Sequence, residues 1–257
     1  MNSRQAALLN DHEVVPFSRK KKVKAAVTPK TVKSVATKVK TENFKLLDVK
    51  PLTEGQRQVF FAWKQGLNVV ASGSAGTGKS FTMTYLALER LLNKEIEKIV
   101  FVRSAVSIRS QGHLPGTQQE KEAVYTVPYK NIVNQLCQCG TAWDSLTKAG
   151  LIEFTTTTYI RGLTFDNCVM IIDEFQNMDP SEMESVLTRL GENTQLGVCG
   201  DTRQNDLTRK REVSCHEWLL KVIKQLPKYF DVVNFTSEDV VRSKLCKAII
   251  KAIEAVN

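Results

Sequence analysis

Gly73-Ser-Ala-Gly-Thr-Gly78-Lys79-Ser80 is the stretch that decides how this chain folds. It satisfies the Walker A spacing G-x-x-x-x-G-K-[ST] in full. A short apolar run, Asn68-Val-Val-Ala-Ser72, stands directly before it. Directly after it, Phe81, Tyr85, Leu88, Leu91 and Leu92 recur at helical spacing, predicting a helix over 79–93. A strand that turns through a glycine-rich loop into a helix N-terminus gathers backbone N–H groups around one point, and glycine lets that backbone come close to an anion. The expected ligand is ATP. Lys79 would be a mobile cation for the β- and γ-phosphates, and the Ser80 hydroxyl would be a ligand for Mg2+. The predicted ATP-binding set is Gly73, Ser74, Ala75, Gly76, Thr77, Gly78, Lys79, Ser80 and Phe81.

The matching half of such a site is Val169-Met-Ile-Ile-Asp173-Glu174. A continuous apolar run predicts a strand covered on both faces. Its two carboxylates fall at the carboxyl edge of the sheet, where open α/β sheets bind ligands. Asp173 is expected to hold Mg2+, and Glu174 to orient and deprotonate the attacking water. An Asp-Glu pair often does no more than end a strand, but paired with the loop it favours hydrolysis over binding alone. After the next apolar strand comes Gly200-Asp201-x-x-Gln204, where Gln204 can sense the γ-phosphate and Asp201 can hold it in place. Gln56, ahead of the first strand, resembles the glutamine that reads adenine in helicase-like ATPases. Its plain alternative is a residue on a helix surface.

Further strands are predicted over 98–102, 152–156, 195–200 and 231–235, and helices over 180–190, 213–226 and 237–255. Pro180 opens the first of these helices and Gly191 closes it. Strand–helix alternation predicts one α/β domain over 46–257 with a mainly parallel sheet. Residues 104–150 are less regular and are expected to form an insertion over one sheet edge.

Of the 257 residues, 42% are hydrophobic and 25% charged, ordinary for a globular chain. No apolar run approaches the roughly 20 residues of a membrane span, and no apolar leader is present. The expected place is the cytoplasm (the host's, if the gene is a phage's), with no membrane partner. The six cysteines show no C-x-x-C spacing and read as free, mostly buried thiols. Residues 1–50 hold twelve Lys/Arg against four acids, so eight of the nine net positive charges fall there. Residues 1–45 therefore read as a disordered basic arm suited to phosphate contact; the plain alternative is a solvated tail.

Taken in order, Gly73–Ser80, Val102-Arg103-Ser-Ala-Val106, Leu114-Pro115-Gly116, Tyr159-Ile-Arg161-Gly162, Asp173-Glu-Phe-Gln-Asn177, Leu187-Thr-Arg189-Leu-Gly191, Gly200-Asp201-x-x-Gln204-x-Asp206-Leu207 and Asp239-Val-Val-Arg242 resemble the PhoH family of phosphate-starvation-inducible ATPases. The resemblance implies a RecA-like P-loop NTPase core similar to the first motor domain of superfamily 1 helicases. The sequence departs from the family pattern at Ser80, where Thr is common, and at Phe175, where Ala is usual. It implies ATP hydrolysis in nucleic-acid metabolism, on single-stranded RNA before DNA. The alternative is a nucleotide-dependent switch or assembly factor that binds a protein partner; the lack of a base-stacking aromatic pattern favours it, and the basic arm favours the first. A one-lobe ATPase needs an arginine at the γ-phosphate. Arg242 resembles the arginine with which a second helicase lobe closes the site, with Arg189 and Arg161 next in line. An arginine given in trans implies a head-to-tail homo-oligomer, with a hexamer as the expected form.

Overall fold

In the computed structural model the described residues are 44–104, 118–201 and 215–256. Nearly all of the basic arm, the Leu114-Pro115-Gly116 motif and Gln204 lie outside them. The loop strand β1 (Asn68–Gly73) shows the logic of the sheet: Val69, Val70 and Ala71 are wholly buried because strands flank it and helices cover both its faces. The other strands are β2 (Lys98–Arg103), β3 (Ile152–Thr156), β4 (Cys168–Asp173), β5 (Gln195–Gly200) and β6 (Phe230–Phe235). They lie in the order β3-β2-β4-β5-β1-β6, and every neighbouring pair is parallel. All six carboxyl ends therefore meet at one edge, which is where ligands bind in sheets of this kind.

Successive strand side chains point to opposite faces. Val69, Ala71, Ile99, Phe101, Val169 and Ile171 belong to one core, while Val70, Val100, Val102, Met170 and Ile172 belong to the other. The first core is roofed by α1 (Glu54–Lys64), α2 (Lys79–Leu92), α3 (Gln118–Leu136) and α4 (Ala142–Lys148). The second is covered by α5 (Pro180–Leu187) and α6 (His216–Ile223). A last helix, α7 (Lys244–Val256), buries no residue of its own. Four of the six cysteines are buried, and all six are free thiols. Among the described residues, no helix is long and apolar enough to cross a membrane.

Two sequence expectations need correction. The helix expected over 180–190 stops at Leu187, because pairing with Phe165 claims the chain beyond it: Phe165 N donates to Arg189 O, and Gly191 N to Phe165 O. The helix expected over 237–255 is broken. A short 3-10 turn, Ser237–Asp239, ends at Val240, whose backbone is extended, and α7 starts only at Lys244. Val241 N is drawn away to Gly76 O at 3.1 Å. The described part of the 104–150 insertion is largely helical and packs over β2 and the edge strand β3. Tyr129 and Trp143 pack tilted against Phe101, with ring centroids 4.7 and 5.7 Å away.

This aromatic cluster is what holds α3 and α4 down. Replacing Phe101 with Ala removes the shared ring and leaves a cavity. The expected cost is about 3–5 kcal/mol, read as a lower urea midpoint with an unchanged slope.

Candidate nucleotide site

β1 ends at Gly73 with φ 119°, and a Cβ there would stand 1.9 Å from the Phe235 carbonyl oxygen of β6. Only glycine fits. The same carbonyl accepts from Ser74 N at 3.2 Å, fixing the height at which the loop leaves the sheet. Gly76 and Gly78 follow at φ 73° and 82°, a left-handed conformation that glycine adopts without strain. Lys79 then opens α2. Its buried ammonium bonds Gly73 O and Ser74 O, each at 2.8 Å, and Thr77 Oγ1 at 3.4 Å. Burial lowers its pKa, and the nearby Asp201, Asp173 and Glu174 carboxylates oppose that shift.

Ser80 Oγ donates to Asp173 Oδ1 at 2.9 Å, joining the head of α2 to the end of β4. Tyr129 Oη, buried on α3, donates to the other oxygen, Oδ2, also at 2.9 Å. Glu174 sits in the left-handed region at φ 56°, an uncommon conformation for a non-glycine residue, which turns its side chain away from the strand direction. Gln176 bridges the site: its Nε2 donates to Glu174 Oε2, and its Oε1 accepts from Asp201 N at 3.1 Å. Arg103 Nη2 lies 4.0 Å from Glu174 Oε1. Burial, then the nearby Asp173 carboxylate, raises the Glu174 pKa, while Gln176, Arg103 and Lys79 act against the rise.

Gln56 is buried in the wall of the loop and is not a surface residue. Its Nε2 donates to Thr77 O at 2.9 Å and its Oε1 accepts from Leu52 N at 2.8 Å. The stretch after β6 runs along the outside of the loop. A Cβ on Gly76 would stand 2.9 Å from Arg242 Cγ and 3.7 Å from Ile250 Cδ1, and Ser74 Oγ donates to Glu254 of α7. Arg242, expected to serve a neighbour's site, has its stem against this chain's own loop. Arg189 stands towards the opposite edge of the sheet, beside Phe165 ahead of β4, and Arg161 is exposed. Sequence reasoning missed Tyr129 and Glu254. Tyr125, Tyr129, Val133 and Leu136, spaced along one helix face, were the available signal for the first.

The residues present fit a phosphate chain and a divalent cation. Three left-handed glycines open the loop, a buried ammonium lies within it, and a hydroxyl and a carboxylate oxygen converge at its helix end. Fold and site together define a P-loop protein of the ATPase type. The model of the PhoH-like protein family matches residues 48–254, and the chain belongs to that family. It is 34% identical over 221 residues to the PhoH-like protein of Bacillus subtilis, covering 84% of this chain and 67% of that one. It is 34% identical over 186 residues to Protein PhoH of Escherichia coli K12, covering 72% and 52%. The chain thus spans half to two-thirds of the length of these relatives. Solved structures similar to it include the Pif1 helicase from Candida albicans (18% identity, TM-score 0.36, 73% of this chain and 41% of that one). Another is the Sulfolobus solfataricus SWI2/SNF2 ATPase core in complex with dsDNA (14% identity, TM-score 0.42, 76% and 47%).

Asp239 anchors the turn that carries Arg242 to the loop. Burial alone would raise its pKa, but the bonds it accepts from Thr236 N and Gly55 N more than offset this and hold it below the usual carboxylate value. A depressed folded pKa gives stability that is present above the unfolded pKa and lost as pH falls through the folded one. Asp239→Asn should lower the melting temperature at pH 7. The gap to wild type should close as pH falls below about 3.9, the ordinary aspartate value. A gap that stays constant with pH would contradict this account.

Proposed function

We propose that this chain binds Mg2+-ATP between the loop and the β4 carboxylates, and hydrolyses it. The observation that carries the reading is the 2.9 Å contact between Ser80 and Asp173, which brings the two motifs together across one intervening strand with Glu174 next to them. On this reading Lys79 gives up loop carbonyls to bind the β- and γ-phosphates. Ser80 and Asp173 hold the cation, which when bound neutralises charge developing on the phosphates. Glu174 takes the proton of the attacking water. Gln176 Nε2 holds one of the two Glu174 oxygens. Gln56 sets the shape of the loop and, on its likeness to the helicase glutamine, is assigned to read the adenine. Arg242 adds positive charge beside Gly76 in cis, and Gln204 is assigned the γ-phosphate sensor role on sequence grounds alone.

Lys79→Ala should abolish turnover, and Glu174→Gln should stop hydrolysis while keeping ATP affinity within a few-fold. Isothermal titration beside a phosphate-release assay reads both. Wild-type turnover in either variant would remove that residue from its role.

We further propose that the ATPase acts on single-stranded nucleic acid, RNA before DNA, in the cytoplasm. The basic arm supports this, and a homo-oligomer, with a hexamer expected, would let a neighbour's arginine reach the γ-phosphate. The competing reading, a nucleotide-dependent switch or assembly factor, draws on the absence of stacking aromatics. ATPase rate and sedimentation should be measured with and without single-stranded RNA, on the full chain and on a chain lacking residues 1–45. The expected result is stimulation that depends on the arm, with a log–log salt slope of about −4 if six cations meet phosphates. A monomer indifferent to RNA would favour the switch.

A further inference from the structure

The motif at Val102–Arg103 has no part in the loop or in the β4 strand, yet its arginine reaches the site. In the register of β2 on β4, Val102 lies beside Ile172, so Arg103 emerges next to the Asp173-Glu174 pair. Arg103 is mostly buried, and its Nε meets no hydrogen-bond partner among the described residues. Among the described residues, two neighbours face its guanidinium. On one side Cζ stands 5.7 Å from the centre of the Tyr125 ring; on the other Nη2 lies 4.0 Å from Glu174 Oε1. A guanidinium stacks on aromatic faces and presents a flat fork to a carboxylate, and lysine does neither as well.

Tyr125 and Tyr129 stand one turn apart on the same face of α3. Tyr129 holds Asp173 directly, at 2.9 Å. Tyr125 holds Arg103, which in turn faces Glu174. One helix thus faces both carboxylates, one through a hydroxyl and the other through an arginine set over an aromatic ring. Gln176 already holds Oε2 of Glu174, and Arg103 faces the other oxygen, Oε1.

We propose that Arg103, steadied by the Tyr125 ring, is a positioning residue that aims Glu174 at the attacking water, making α3 the brace of both site carboxylates. The inference rests on the ATPase reading above. The plain alternative is a structural ion pair, whose loss would lower stability and nucleotide affinity together without singling out the chemical step.

The test is steady-state ATPase kinetics on the full chain, with ATP affinity and melting temperature measured in parallel. Arg103→Ala should lower kcat by about 10- to 100-fold, because a small misorientation at the reacting group costs that much. KM and ATP affinity should change less than about threefold, the pattern of a lost transition-state interaction. Arg103→Lys should recover part of kcat, since the charge remains. Tyr125→Leu, which removes the ring face and keeps apolar bulk, should lower kcat in the same pattern, and it carries the test where Arg103→Ala does not fold. Wild-type kcat in folded Arg103→Ala, or loss of ATP affinity in step with kcat, overturns the inference and leaves the ATPase reading intact. A folded wild-type chain that does not hydrolyse ATP overturns both.

Discussion

The carboxyl edge of this sheet depends on how closely β1 and β6 approach at Gly73. Their register runs to the last residue of each strand, pairing Gly73 with Phe235. That brings the Phe235 carbonyl into the space a side chain at 73 would take. Ser74 N then bonds that carbonyl, Lys79 ties the carbonyls of Gly73 and Ser74 together, and Gly76 O receives Val241 N from the chain beyond β6. The loop is fastened at its entry, its middle and its exit. A flexible glycine-rich segment becomes a shaped one because its neighbours use up the freedom that glycine provides.

A second constraint follows from the strand order. β5 lies between β1 and β4, so the loop and the carboxylates stand two strand spacings apart, roughly 10 Å. Ser80 spans the gap from the first turn of α2, but the strand in the middle must stay out of the way. It ends at Gly200, where a Cβ would stand 2.4 Å from Gln176 Oε1 and 2.5 Å from the Phe175 ring. The small residue at the end of β5 makes room for the glutamine that orients Glu174. Phe175, a departure from the usual family residue, fills space beside that glycine and is fully buried.

The strands, the loop and the β4 carboxylates were legible in the sequence because their signals are local: apolar runs with no polar break, glycines at fixed offsets, an Asp-Glu at a strand end. The helical insertion was harder to read. α3 carries Pro128 in its interior, where proline normally stops a helix, and packing of Tyr129, Val133 and Leu136 on the sheet outweighs that local cost. The break at Val240 was invisible for the opposite reason. The 237–255 stretch has a sound helical pattern, but a tertiary hydrogen bond to Gly76 takes a donor that a continuous helix would use. Arg242 was recognised as a residue of interest, yet its place against the chain's own loop depends on contacts that sequence spacing does not encode. Gly191, read as a helix stop, serves a close approach instead: a Cβ there would stand 1.9 Å from Asp166 Oδ1.

Lys79 has three ammonium protons, and the loop offers three oxygens to receive them. Any anion that draws this side chain out must exchange partners, so what it gains is the difference between two sets of hydrogen bonds. A neutral ligand offers little beyond the carbonyls already in place, whereas a charged oxygen adds Coulomb attraction to the ammonium. The loop therefore screens ligands by charge density before it screens them by shape.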